Sequence, residues 1–311
     1  MEKKKPSVIG NGVYNYDIIV KREYPQGFVV GKRNPFVENT IIEEVGGTCG
    51  NVMCVLGYLG WNVYPQAHFD LSEQGYKLKR DLESFGCDTR YVENSEKGGT
   101  TLLRCTHKLD QMTGEHVATF RATSPSSMFP KRKQLRVRDE VEPFVNSLVE
   151  KPDVYFFDAP EAGPRALAKL LREKGTLVYF EPESDHEKAK FDDGVRVSDI
   201  IKFSHEKITD KDFCKAYRDK LFIQTLGADG LAFSLCGSEW VKVPAVPIDH
   251  IVDTEGCGDT TTAAFLDSLA KMDALSIQAM SIEKVTKALE EASQKAALCA
   301  QSMGSKGWIR R

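Results

Sequence analysis

No two of the eight cysteines are spaced as Cys-x-x-Cys, and no histidine follows one at zinc-ligand spacing, which excludes a zinc ribbon and a dithiol redox centre. Neither charge is in excess: 42 basic against 45 acidic side chains leave a net −3, too balanced for a chain whose main partner is a phosphate backbone. No apolar run approaches the roughly 18 residues of a membrane span. The basic start, Met1 to Pro6, leads straight into Ser7-Val8-Ile9-Gly10 and not into the roughly 7–15 apolar residues of a secretory signal. Internal repeats, Gly/Ser linkers and low-complexity tracts are missing too. These absences predict a soluble, cytoplasmic protein that binds neither nucleic acid nor membrane, its scattered thiols serving mostly as small buried hydrophobes.

What is present is an ordinary globular composition. Hydrophobic residues make up 41% of the 311 and charged residues 28%, enough to bury roughly three quarters of the unfolded surface without a disulfide. Runs such as Val8-Ile9-Gly10, Val154 to Phe157, Leu177 to Phe180, Asp199 to Lys202 and Leu221 to Gln224 read as parallel strands, apolar on both faces. Between them, Pro164 to Lys174 sets Leu167, Leu170 and Leu171 on one helical face, and Asp210 to Lys220 is a second helical candidate. Strand–helix alternation predicts an α/β fold with a doubly wound, mostly parallel sheet flanked by helices, and a site beyond the carboxyl ends of its strands.

Two segments break the rhythm. Tyr16 to Val45 contains Pro25, Gly27, Gly31 and Pro35 and has no helical period. Gly98 to Thr123 reads as a β-hairpin turning at Gln111-Met112-Thr113-Gly114. We read 16–45 and 98–123 as a small β-sheet lid, with 1–15, 46–97 and 124–311 as the α/β core; edge strands of the main sheet are the alternative. The basic run Lys131 to Arg138 lacks aromatics and is followed at once by acids, which favours a solvated loop or helix edge.

The strongest local signal is Asp253-Thr254-Glu255-Gly256-Cys257-Gly258-Asp259 ahead of a good helical stretch. At a helix start the first N–H groups lack intrahelical partners and the macrodipole is positive, and glycines let backbone close on an anion. Asp259 at the rim of such a cradle is placed to take a proton from a hydroxyl attacking a phosphoryl group. Read alone, it could equally cap the helix. The turn is neither a Walker A loop nor a dinucleotide fingerprint, since no Gly-Lys-Ser/Thr and no third glycine follow. A second element, Gly46-Gly47-Thr48-Cys49-Gly50-Asn51, opens another helix. There bare backbone and an amide side chain suit a polyol. Asn15-Tyr16-Asp17 follows the first strand, where a carboxylate can accept two sugar hydroxyls.

In this order the motifs resemble the ribokinase-like (PfkB-type) carbohydrate kinase family over nearly the whole chain. The resemblance implies ATP-dependent phosphorylation of a sugar hydroxyl. Asp259 would be the general base, and the amides of Gly256, Cys257 and Gly258 an anion hole. Asn15, Asp17, Gly46, Gly47 and Asn51 would hold the sugar, with Asp158 and Arg121 as further sugar contacts. It also implies that Ser204, Thr225, Gly227 and Gly230 lie along ATP. Mg²⁺ would be reached through water from Glu206, a monovalent cation such as K⁺ would sit near Asp253, and a homodimer would form through the lid. A nucleoside kinase of the same fold and a catalytically silent sugar-binding regulator stay open. The chain departs from the family pattern in several places. Lys207 stands where Asn-x-x-Glu ends in a carboxylate, Glu181-Pro182-Glu183 replaces Asp-Pro-Asn, Thr48 replaces a lysine of ribokinase proper, and three threonines follow Asp259.

Overall fold

The computed structural model describes residues 4–123 and 138–309. The basic run from Lys131 to Val137 lies outside them. In chain order the first elements are β1 (Ser7–Asn11), β2 (Asn15–Glu23), β3 (Val37–Gly46), α1 (Thr48–Tyr58), β4 (Asn62–Phe69) and α2 (Glu73–Ser84). There follow β5 (Val92–Asn94), β6 (Thr101–Leu109), β7 (His116–Thr123), α3 (Arg138–Asn146), β8 (Val154–Phe157), α4 (Ala162–Glu173) and β9 (Leu177–Phe180). The last are α5 (Lys188–Val197), β10 (Ile200–Ser204), β11 (Leu221–Thr225), β12 (Leu231–Leu235), β13 (Val241–Val243), α6 (Cys257–Lys271) and α7 (Ile282–Ala300).

Nine strands form the main sheet, in the order β13-β12-β11-β10-β9-β8-β1-β4-β5. The ladder is parallel from β5 to β11 and antiparallel only at β12 and β13. Its central strands bury both faces by simple alternation. Val8, Phe156, Tyr179 and Ile200 pack with α1, α6 and α7, whereas their successors Ile9, Phe157, Phe180 and Ile201 pack with α4 and α5. Lys202 puts a charged side chain inside one of these runs, only 3% exposed. The expected helix near Pro164 begins two residues earlier, so that Pro164 falls in the first turn, where its missing N–H costs nothing. The second candidate helix is not formed: Asp210 to Lys220 holds only a short 3₁₀ turn, Asp212–Ala216. That turn lodges Phe213 edge-on against Phe191 and Phe222, a tertiary anchor that overrides weak helical propensity.

The four remaining strands form a separate small sheet, β3-β2-β6-β7, in which only β2 and β6 are parallel. The β6–β7 hairpin turns where the sequence indicates. Asp110 accepts the Met112 and Thr113 amides, and Gly114 takes a positive φ of 76°. The chain beyond α7 lies against this sheet: a Cβ added at Gly304 would come within 2.9 Å of Ile19 and 3.1 Å of Ile42. Among the described residues no helix is long and apolar enough to cross a membrane.

Candidate active site

Gly256 caps α6 in a left-handed conformation, φ 78°, and a Cβ there would sit 2.2 Å from that of Ser305, so both backbone shape and space require glycine. Asp259 falls in the first turn of α6, where the dipole favours a negative charge. Of the expected anion-hole amides, that of Cys257 donates to the Thr254 carbonyl at 3.2 Å, while a Cβ at Gly258 would meet only the Lys202 ammonium, at 3.6 Å. The cradle therefore faces a buried cation.

Lys202 in the middle of β10 is paired with Glu181 just past β9, and the other Glu181 oxygen accepts from Thr262 at 2.6 Å. Two departures from the family pattern, the glutamate and a threonine after Asp259, are thus partners of each other. The warning was a lone lysine in a run read as buried strand, since an unpaired buried lysine is rare.

On the opposite side α1 begins at Thr48, capped by Gly47 at φ 80°, and Asn51 lies in its first turn. The Asn51 Nδ2 donates to Asp259 Oδ2 at 2.7 Å, across 208 residues of sequence. Its Oδ1 accepts from the Ser305 hydroxyl at 2.8 Å and the Lys306 ammonium at 2.6 Å. Lys306 also pairs with Glu44 on β3, 3.1 Å away, and both are buried. Glu44, Ser305 and Lys306 were not found from sequence; a lysine bracketed by Gly304 and Gly307 carries no family signal.

Asp17 on β2 stands in register with Glu44 on β3. A Cβ on Gly46 would lie 1.7 Å from Asp17 Oδ2, so the glycine makes room for the carboxylate. Asp17 Oδ1 is buried without a hydrogen-bond partner among the described residues. Asn15, two residues back, shares its face.

Other expected residues are placed differently. Asp158 is buried, accepting from the Val13 amide at 2.9 and 3.1 Å and the Cys49 amide at 2.9 Å. It thereby joins the loop after β1 to the start of α1. As an anchor its loss should register without any ligand: Asp158→Asn is expected to destabilise the free protein by about 2 kcal/mol, the worth of one charge-assisted bond, read by denaturant titration. Arg121 pairs in register with Arg104, itself opposite Ile18. Strand alternation therefore sets Arg121 on the face of the small sheet away from Asp17.

On the nucleotide side, Ser204 and Thr225 are register partners ending β10 and β11, and Ser204 Oγ accepts from the Glu206 amide at 3.2 Å. Gly227 has φ 59° and open space where a Cβ would be. Gly230 is required locally, since a Cβ would strike the Val243 carbonyl at 2.3 Å. Glu206 is exposed, and Lys207 reaches Glu183 at 3.9 Å. Both Asp253 oxygens accept protein donors, Oδ1 the Glu255 amide at 3.0 Å and Oδ2 the Gly304 amide at 3.0 Å, with the His107 imidazole 3.6 Å away.

The site is acidic. Burial pushes Asp259 up to about 6, Glu181 adding to the rise and Asn51, Lys202 and Lys306 opposing it. Asp17 is pushed up to about 7 by burial and by Glu44, Asp259 and Glu255, against Lys306. Both native values lie above the ordinary 3.8, so the folded state binds protons that the unfolded chain releases. Stability therefore falls as pH rises from about 4 through 7. The thermal midpoint is expected to drop across that window, and the drop should shrink in Asp17→Asn, as calorimetry would show.

With this geometry in view, the comparisons decide the family. The profile described as "pfkB family carbohydrate kinase" matches residues 22–308. The chain belongs to the pfkB carbohydrate kinase family. Among curated protein sequences none matches it. Solved structures share the fold of this pfkB-family chain at low identity. A fructokinase from Xylella fastidiosa with bound ATP is 16% identical with a TM-score of 0.69, covering 98% of this chain and 94% of its own. Ribokinase from Arabidopsis thaliana complexed with ribose and ATP is 18% identical with a TM-score of 0.66, covering 99% and 98%. A nucleoside kinase from Burkholderia thailandensis in complex with inosine is 16% identical with a TM-score of 0.67, covering 97% and 93%.

Proposed function

We propose that this pfkB-family chain phosphorylates a hydroxyl of a neutral, sugar-bearing acceptor with ATP. The observation that carries this is the 2.7 Å bond between Asn51, at the start of the acceptor-side helix, and Asp259, at the start of the phosphate-side helix. One carboxylate is shared by the two halves of the site.

In this reading Asp17 accepts acceptor hydroxyls through its unpartnered oxygen, and Asp259 takes the proton as the attacking oxygen moves in line on the γ-phosphate. The Gly256–Gly258 backbone and Lys202 face the charge that develops on the transferred group. The small sheet acts as a lid that excludes water and limits ATP hydrolysis. Glu206 and Glu183 at the strand ends would hold Mg²⁺ through its waters, and the ion would supply neutralisation of phosphate charge. Since protein donors already surround the Asp253 carboxylate, no step is derived through a monovalent cation.

The grouping of Asp17, Glu44, Glu255 and Asp259 around Lys306, which is itself paired internally, disfavours an anionic acceptor. A nucleoside is the second reading. It is favoured by Phe120, which the register sets on the same face of the small sheet as Asp17 and which is 49% exposed, a platform for a flat base. A coupled ADP-release screen over ketoses, aldoses, sugar acids and nucleosides tests both. Turnover is expected with a neutral sugar or a nucleoside. Turnover with sugar acids alone, or acceptor binding with no ADP release, would sink the reading.

A further inference from the structure

We propose that Lys306 is a positioning residue for Asp259, acting by locking the Asn51 amide with its NH2 group toward the Asp259 carboxylate. This rests on Asp259 being the proton acceptor.

Lys306 is fully buried, and its ammonium has three acceptors: Glu44 Oε1 at 3.1 Å, Asn51 Oδ1 at 2.6 Å and Ser305 Oγ at 2.7 Å. Three N–H groups meet three acceptors, so none remains for a ligand. The lysine is not a reader of substrate anions. Ser305, accepting from Lys306, spends its single proton on Asn51 Oδ1. Two donors thus converge on one amide oxygen, and turning the amide over would set its NH2 against an ammonium. Asn51 Nδ2 is thereby fixed on Asp259 Oδ2. An amide donor there favours the ionised carboxylate and leaves Oδ1 for the acceptor hydroxyl. An inverted amide would offer its oxygen instead, and only a protonated Asp259 could meet it.

The lock also reads the small sheet. Glu44 belongs to β3, opposite Asp17 on β2, while Lys306 belongs to the turn that lies against Ile19 and Ile42. Asn51 is therefore set correctly only while that sheet rests on the C-terminal turn. The charged groups that face Asp259 are Glu181 beyond β9, Lys202 on β10 and Lys306 itself, with the Cys49, Cys257 and Cys299 thiols nearby. Asp17 faces it from the small sheet.

The test follows the Asp259 titration by ¹³C NMR of labelled aspartates in the free protein, with Asp259→Asn supplying the assignment. It compares the native chain, Lys306→Met, and the double variant Glu44→Gln/Lys306→Met. The single variant strands Glu44 as a buried charge and is the one at risk of not folding. The double variant removes one charge of each sign but also the direct pull of Lys306 on Asp259. The Asn51 side-chain NH2 resonance, followed by ¹⁵N NMR, therefore reads the amide separately. That amide is expected to lose its bond to Asp259 in the double variant, and an unchanged resonance there overturns the lock. Asp259 is expected to titrate about one pH unit higher in the double variant. The ascending limb of kcat should move with it, and KM for ATP should be unchanged. A native Asp259 titration in the folded double variant overturns the proposal. So does restoration of native kcat, which would mean that Lys306 only neutralises Glu44. The underlying reading fails separately, by native turnover in Asp259→Asn.

Discussion

Asp259→Asn is expected to turn over its best acceptor about 10²–10⁴-fold more slowly, the usual worth of a positioned base, with acceptor binding retained. The substitution is nearly isosteric, and a neutral amide removes a carboxylate that burial already disfavours. The variant should therefore be as stable as the native chain or more so. Steady-state kinetics beside a thermal melt separates this from damage. Loss of kcat with an unchanged or higher midpoint supports the base, whereas near-native turnover refutes it. The native kcat should rise with pH through about 6 as Asp259 loses its proton, and that limb should vanish in the variant.

Gly46→Ala should be nearly as damaging by another route. The φ of Gly46 is not positive, so alanine meets no backbone strain. Its Cβ, however, would fall 1.7 Å from Asp17 Oδ2 and 2.0 Å from its Cγ. The Asp17 side chain must leave, and displacing a substrate-orienting group by about 1 Å costs about 10²-fold in kcat/KM. The loss should fall on the acceptor and spare ATP, read as a raised acceptor KM against an unchanged ATP KM. Equal loss in both would point to general collapse of the α1 start.

Much of this was legible in the chain because it is local. The runs Val154 to Phe157 and Leu177 to Phe180 coincide with β8 and β9, since apolar continuity on both faces leaves few other fates. The turn at Gln111 to Gly114 was readable from its residues, and Gly256 and Gly47 at helix starts from theirs. Asp210 to Lys220 misled because its apolar spacing fits one helical turn while Phe213 is claimed by an aromatic cluster contributed by α5, β10 and β11.

The sequence by itself determined the alternation of strands and helices, the two glycine-opened helices and the carboxylates beside them, because backbone sterics and periodicity act within a few residues. Only the tertiary structure decided their partners. It set Asn51 on Asp259, spent Asp158 on backbone amides, turned Arg121 to the far face and enclosed Lys306 with Glu44. Such pairings follow from strand register and from where the last turn docks, and a buried charge accepts whichever opposite group the fold delivers.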